Sequence, residues 1–254
     1  MSETAGENDG GPVTASVLVI GDEILSGRTK DTNTGYIAEY LTAIGIDLRE
    51  ARVVPDVIGE IADAVNALRH RYTYVFTTGG IGPTHDDITA DGVAHAFGVP
   101  VIHHPRAVEI LTEYLGDRIN EARLRMARTP EGADLIENTV SKAPGWRIGN
   151  VHVMAGIPSV MHAMLDAIAP TLKTGAKMLS VTIDGQGLKE GDVGGPLGEI
   201  QAAHPGVMIG SYPGFDGVRY STSLVIRSRD QAALEAAERD VKALVERLLA
   251  DQAG

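Results

Sequence analysis

The chain has 254 residues, 43% of them hydrophobic and 22% charged, which is enough to build a buried core and excludes a predominantly disordered protein. With no cysteine and no run of about 18 apolar residues, the sequence excludes disulfides, thiolate catalysis, cysteine-bound metal and a membrane-spanning helix. Its 22 Lys and Arg against 34 Asp and Glu give a formal net charge of -12, a field that repels polyanions, so we expect no nucleic-acid and no membrane partner.

The first part of the chain alternates strands and helices. Residues 1–14 lack apolar periodicity and predict a flexible tail; they lack a basic start and an apolar stretch, so we expect no secretory signal and a cytoplasmic location. The next elements are a strand at Ser16–Ile20, a helix with Ile37, Leu41 and Ile44 ended by Gly45, a strand at Asp47–Val54, a helix with Ile58, Ile61, Val65 and Leu68, a strand at Tyr74–Thr78 and a helix from about Asp87 to Phe97. This order predicts an α/β fold with a doubly wound, mostly parallel sheet.

The remaining elements complete this domain and add a smaller one. Helices are predicted at Pro105–Leu115 and Ile119–Ala127, strand character at Trp146–Val153 around a turn, and a helix from Pro158. The end of the chain predicts a strand at Met178–Ile183, a helix at about Gly195–Ala203, strands at Val207–Tyr212 and Tyr220–Arg227, and a helix at Gln231–Leu249. We therefore expect a large domain over residues 15–173 and a small α+β domain, in the order β-α-β-β-α, over residues 177–252.

Three loops that follow strands carry unusual residues, and ligands of doubly wound sheets bind beyond the carboxyl ends of the strands. Loop 1, Gly21–Asn33, has the sequence GDEILSGRTKDTN. Asp22 and Glu23 are candidate ligands of a metal or a hydroxyl group, or they belong to a solvated turn. Asn33 either presents its amide to a ligand or caps the following helix.

Loop 2, Thr77–Thr89, has the sequence TTGGIGPTHDDIT. Glycines ahead of a helix start allow backbone N–H groups to approach a phosphate. Asp86 and Asp87 would repel that phosphate unless a cation bridges them, so the combination indicates a phosphate with Mg²⁺ or a similar hard ion. The alternative is a capping box between Thr84 and Asp87, and both interpretations hold together if Asp87 caps and Asp86 binds.

Loop 3, Met154–Val160, has the sequence MAGIPSV. Gly156 could offer its N–H and Ser159 its hydroxyl to a second phosphate or a polar ring. By itself, the segment is also typical of a tight strand-to-helix turn.

Together these loops resemble the molybdopterin-binding fold family that includes the molybdenum-cofactor biosynthesis proteins MogA and MoaB. The likeness spans about Ala15 to Leu172 and is carried by GDEILSGRTKDTN, by TTGGIGPTHDDITADGVAHAFG, and by APGW followed by MAGIPSVM. Within that family the chain is similar to the N-terminal part of the competence/damage-inducible CinA proteins and to the molybdopterin-binding-like domain of FAD synthases. Ile81 replaces the threonine typical of molybdenum-cofactor enzymes, which favours the CinA-like branch, and Ala155 departs from the usual Pro-Gly-x-Pro turn.

The resemblance implies a three-layer α/β/α, MogA-like domain followed by a small KH-like domain. The Gly191–Gly194 segment is similar to the nucleic-acid-binding loop of KH domains, but Asp192 and Val193 occupy its centre and the module is acidic, which argues against RNA binding. Self-association is common in the family, so we expect a homo-oligomer.

The activity implied by the resemblance is hydrolysis of a nucleotide diphosphate, ADP-ribose or FAD, by a divalent-metal-dependent pyrophosphatase using Mg²⁺, Mn²⁺ or Co²⁺. Asp86, Asp87 and Glu23 are the expected catalytic and metal-binding residues. The other residues expected to bind the ligand are Gly21, Asp22, Asn33, Thr78, Gly79, Gly80, Gly82, Pro83, Thr84, Thr89, Gly156, Pro158 and Ser159. The alternative is a non-catalytic protein that binds molybdopterin or another pterin and is linked to molybdenum-cofactor biosynthesis.

Overall fold

A computed structural model describes residues 11–215 and 220–253. Contacts divide the chain into a larger unit, Met1–Gly175, and a smaller unit, Ala176–Gly254. Residues 1–10 of the predicted tail lie outside the described residues, whereas Thr14, also assigned to the tail, already belongs to the first strand. None of the helices that the structure describes is long and apolar enough to cross a membrane.

A six-stranded sheet organises the larger unit. The strands of this unit are β1 Thr14–Ile20, β2 Asp47–Val54, β3 Tyr74–Thr78, β4 Val101–His103, β5 Arg128–Pro130, β6 Asp134–Ile136, β7 Gly145–Ile148 and β8 Val151–Met154. The sheet order is β2-β1-β3-β8-β7-β6. The pairs β1–β2, β1–β3 and β3–β8 are parallel, and β7 runs antiparallel to both of its neighbours. The predicted mostly parallel sheet is therefore confirmed.

Helices cover both faces of this sheet. The helices of the larger unit are α1 Asp22–Leu25, α2 Asn33–Ala43, α3 Ile58–Arg69, α4 Thr89–Phe97, α5 Pro105–Leu115, α6 Glu121–Leu124 and α7 Pro158–Ile168, of which α2, α3, α4 and α7 pack on the sheet. Side chains alternate along β1: Leu18 and Ile20 pack in one core with residues of α3 and α4, whereas Val17 and Val19 pack in a second core with residues of α2 and α7. Two cores on opposite faces confirm the three-layer α/β/α architecture.

One region of the larger unit, outside the main sheet, was predicted only in part. The three-residue strands β4 and β5 pair antiparallel outside the main sheet. The helix expected over Ile119–Ala127 is shorter, because α6 is followed by a 3-10 turn at Arg125–Ala127. Ala107, Leu111 and Ala127 form a core of their own beneath this region.

The smaller unit has the predicted β-α-β-β-α order. Its elements are β9 Leu179–Gln186, α8 Glu190–Ala203, β10 Val207–Phe215, β11 Tyr220–Ser228 and α9 Gln231–Ala253. The strands form an antiparallel sheet in the order β10-β11-β9. Helix α8 begins five residues earlier than predicted and includes Gly191–Gly194, because Val193 and Leu197 are buried in the core of this unit. The Gly191–Gly194 segment, similar in sequence to the loop of KH domains, is therefore helical.

Candidate functional site

Four connections meet at the carboxyl edge of the large sheet. Loop 1 follows β1, residues 55–57 follow β2, loop 2 follows β3 and loop 3 follows β8. These four strands are adjacent and parallel, so their carboxyl ends lie side by side. The position is the one at which doubly wound folds bind ligands.

Asn33 ties loop 1 to loop 3. Its Nδ2 donates to the carbonyl oxygen of Gly156 at 2.8 Å, and the residue is only 6% exposed. The start of α2 is capped instead by Asp31, whose Oδ1 accepts the N–H groups of Asn33 and Thr34 at 2.9 and 3.2 Å. Of the two interpretations of Asn33, the helix cap is therefore wrong, and its amide lies at the site.

The first turn of loop 1 is the short helix α1. The N–H of Asp22 donates to Oδ2 of Asp56 at 2.9 Å, which fastens loop 1 to the end of β2. Glu23 folds back over Gly21, where an added Cβ would lie 2.5 Å from Glu23 Oε2. The two acidic residues therefore belong to an ordered turn at the site edge.

Loop 2 requires glycine at two positions. Gly79 has φ +103° and Gly80 has φ +65°, a region that favours glycine. A Cβ at Gly79 would lie 2.1 Å from the carbonyl oxygen of Ile20. The N–H of Gly79 donates to the Met154 carbonyl at 3.2 Å, so it is not available to a phosphate as predicted. The N–H groups of Gly80 and Gly82 have no acceptor among the described residues.

Thr89 stabilises loop 2 through two hydrogen bonds. It is fully buried, its hydroxyl donates to the Gly79 carbonyl at 2.9 Å, and its N–H donates to the Gly80 carbonyl at 3.0 Å. These bonds delay the start of α4 to Thr89, two residues after the predicted start at Asp87. The structure therefore gives Thr89 a structural role in place of the predicted ligand contact.

Thr84 and Asp87 close a turn that presents Asp86. Asp87 Oδ2 accepts the N–H of Thr84 at 2.7 Å and also its hydroxyl, and the Asp87 N–H donates to the Thr84 carbonyl at 3.3 Å. Because α4 begins later, these bonds stabilise a loop turn and not a helix start. Arg125 braces the turn, since its Nε donates to the Thr84 carbonyl at 3.1 Å.

The Asp86 carboxylate remains available beyond this turn. Its side chain is 65% exposed. Hydrogen bonding from Thr84 and from its own backbone N–H, together with the positive charges of His85 and Arg28, holds the pKa of Asp86 below its ordinary value. The carboxyl group is therefore ionised at neutral pH, as a metal ligand needs to be.

A cavity of about 380 Å³, including its open mouth, lies where the three loops meet. Predicted site residues on its wall are Glu23, Asn33, Thr78, Gly79, Gly156 and Pro158. The other predicted residues follow the same strand ends without lining the cavity: Gly21, Asp22, Gly80, Gly82, Pro83, Thr84, Asp86, Asp87, Thr89 and Ser159. Wall residues that were not predicted are Val19, Ile20, Ile24, Thr29, Lys30, Asp31 and Thr32.

Asp56 is a site residue that the sequence analysis missed. Partial burial raises the pKa of its carboxyl group, and the negative charges of Asp22, Glu23 and Asp86 raise this pKa further. The hydrogen bond from the N–H of Asp22 lowers the pKa and opposes these effects. Three other carboxylates therefore act on Asp56. The available signal was its position two residues after the end of β2, since the same rule identified the three loops.

These carboxylates do not form a preassembled metal cage. Among residues 11–215 and 220–253, no group of three or more His, Asp or Glu side chains is placed to hold a metal ion. The predicted set of Asp86, Asp87 and Glu23 is thus not assembled, since the Asp87 carboxylate accepts a hydrogen bond from the N–H of Thr84. An all-oxygen donor set still fits Mg²⁺, which is usually held by one or two carboxylates, water and substrate phosphates.

Comparisons with known proteins agree with this fold. Residues 16–174 match the family described as "Probable molybdopterin binding domain", and residues 177–252 match the family described as "FAD synthase, middle domain". The crystal structure of CinA from Thermoplasma acidophilum, a protein described as having unknown function, is 35% identical with a TM-score of 0.59. That likeness covers 62% of this chain and 98% of the other.

Two curated relatives are longer. A CinA-like protein of Desulfosudis oleivorans is 35% identical over 77% of this chain and 51% of its own length. A probable FAD synthase of Caenorhabditis elegans is 30% identical over 91% of this chain and 50% of its own length. The chain therefore spans about half the length of these two relatives. Since the first match covers more than half of the 254 residues, the chain belongs to the molybdopterin-binding-domain family, with CinA-like proteins and FAD synthases among its relatives.

Proposed function

We propose that the chain is a divalent-metal-dependent pyrophosphatase acting on a nucleotide diphosphate, ADP-ribose or FAD. The observation that carries this proposal is the combination at one sheet edge of free loop amides, at Gly80 and Gly82, with a group of carboxylates. Backbone N–H groups bind phosphate oxygens, whereas carboxylates beside a phosphate need a cation. The relationship to FAD synthases and CinA-like proteins supports a nucleotide-related role.

The reaction adds one water across the P–O–P bridge. ADP-ribose would yield AMP and ribose 5-phosphate, and FAD would yield AMP and FMN. A divalent ion, when bound, would neutralise the phosphate oxygens and activate the attacking water. Asp86 and Glu23 are the carboxylates proposed to hold it, because the Asp86 side chain is exposed and Glu23 lies on the cavity wall.

The other residues of the site position the substrate and each other. Gly80 and Gly82 would donate their N–H groups to a phosphate oxygen. Asn33 holds loop 3 at a fixed distance from loop 1 through Gly156. Asp56 fixes the turn that carries Asp22 and Glu23, and its raised pKa makes it a candidate to accept a proton from the attacking water.

The test is cleavage of ADP-ribose and FAD by the purified full chain with Mg²⁺, Mn²⁺ or Co²⁺, and without metal. We expect metal-dependent release of AMP, reduced on the order of a hundredfold or more by Asp86→Asn. Asp117→Asn is the matched control, because Asp117 is an exposed aspartate of the 3-10 turn Gly116–Arg118. Full turnover in Asp86→Asn would refute the role of Asp86.

A second candidate function is a pterin-binding protein without chemistry of its own. It is favoured by the lack, among the residues that the structure describes, of three acidic or histidine side chains placed to hold a metal. It predicts no cleavage with any of the three metals and binding of a pterin that persists when divalent ions are chelated. The same purified protein therefore separates the two candidates.

A further inference from the structure

Lys30 lies on the cavity wall and has no part in the proposed chemistry. The charged residues on the wall are Glu23, Lys30 and Asp31. Lys30 is exposed, and none of the ion pairs or side-chain hydrogen bonds among the described residues involves it. It is thus a free cation on the cavity wall of a chain whose formal charge is -12.

The two acids on the wall, Glu23 and Asp31, are not paired with Lys30. Asp31 uses Oδ1 to accept the N–H groups of Asn33 and Thr34 at the start of α2. The Glu23 carboxylate lies against Gly21. Because neither acid pairs with Lys30, its ammonium group is available to an anion that enters the cavity.

Of the carboxylates proposed to hold metal, Glu23 shares the cavity wall with Lys30, whereas Asp86 does not line the cavity. Asp86 belongs to loop 2 after β3, and its side chain is exposed. Lys30 belongs to the later part of loop 1, which Asn33 ties to Gly156 of loop 3. A diphosphate has two phosphoryl groups, so one can lie with the metal and the other against Lys30.

We propose that Lys30 binds the second phosphoryl group of the substrate and makes the site prefer nucleoside diphosphates to monophosphates. This inference rests on the proposed function for its substrate class. It concerns binding, however, and does not require that the bound diphosphate be cleaved.

The test is calorimetric titration of the full chain with α,β-methylene-ADP, which a pyrophosphatase cannot hydrolyse, and with AMP, both in the presence of Mg²⁺. In Lys30→Met we expect the affinity for α,β-methylene-ADP to fall about tenfold and the affinity for AMP to change by less than about twofold. Lys30→Arg keeps the charge and is expected to retain most of the preference. Added salt should reduce the preference in the original chain more than in Lys30→Met.

Lys173→Met is the matched control, since it removes the same charge elsewhere. The N–H of Lys173 donates to the hydroxyl of Tyr74, the first residue of β3, so it lies by the edge of the sheet away from the site. Equal losses for the two nucleotides in Lys30→Met, or no loss for either, would overturn the role of Lys30. A selective loss without any cleavage of ADP-ribose or FAD would instead support Lys30 and overturn the pyrophosphatase proposal.

Discussion

At the scale of single residues, the shape of loop 2 depends on Gly80. Gly80 and Gly98 have nearly the same backbone angle, φ +65° and +67°, but a Cβ at Gly80 would lie 2.1 Å from Thr89 Oγ1, whereas nothing lies within 4 Å at Gly98. We expect Gly98→Ala to cost about 1 kcal/mol of unfolding free energy from the backbone alone. Gly80→Ala should cost clearly more, about 2–4 kcal/mol, because Thr89 must also move.

Chemical denaturation of the two alanine variants measures this difference. Equal costs would mean that loop 2 relaxes around the added methyl group, and that the Thr89–Gly79 hydrogen bond of 2.9 Å does not constrain it. Binding of α,β-methylene-ADP is expected to weaken only in Gly80→Ala, since Gly98 ends α4 away from loop 2.

Residue types predicted the site better than they predicted individual roles. The glycines and acids of loop 2 identified its position, but the sequence did not separate Asp86, which is exposed, from Asp87, whose carboxylate accepts from Thr84. Lys30 was missed because an exposed lysine in a polar loop carries no pattern. Its position on the cavity wall depends on how loop 1 folds between β1 and α2.

At the scale of elements, hydrophobic periodicity predicted several elements well and failed for three-residue strands and for one helix rich in glycine. The bounds of β2, β3 and α5 agree with the prediction residue for residue. The strands β4, β5 and β6 have three residues each, too few for a period to be recognised, and they were missed. Helix α8 was predicted too short because Gly194, Gly195 and Pro196 indicate a break, whereas burial of Val193 and Leu197 overrides that preference.

Strand β8 carries a titratable group into the core. His152 is 2% exposed, with its ring stacked on Phe76 at a centroid distance of 5.2 Å. Burial, together with the positive charge of Arg147, lowers the pKa of His152 to about 4. The unfolded chain binds this proton at about pH 6.5, so the folded state loses stability as the pH falls from there towards 4.

His152→Phe removes this titration. Between pH 7 and pH 4 the original chain should lose about 3 kcal/mol more of its unfolding free energy than the variant. Denaturation curves of the two proteins at several pH values measure the difference. Parallel pH dependences would show that His152 does not resist protonation in the folded state.

At the scale of the whole molecule, the two units have separate cores. The two main cores of the larger unit lie within Met1–Gly175, and the core of the smaller unit lies within Ala176–Gly254. All residues that line the cavity, as well as Asp56 and Asp86, belong to the larger unit. Independent cores are the property that allows units of one chain to fold alone.

A chain that ends after Gly175 is therefore expected to unfold cooperatively and to bind α,β-methylene-ADP within about threefold of the affinity of the full chain. Calorimetric titration and thermal unfolding of both proteins measure these properties. Full affinity in the shorter chain would place recognition of the diphosphate in the larger unit, so that the match of residues 177–252 to the FAD synthase middle domain would have to be explained by another role. If the shorter chain unfolds cooperatively but does not bind, the smaller unit must supply a part of the site.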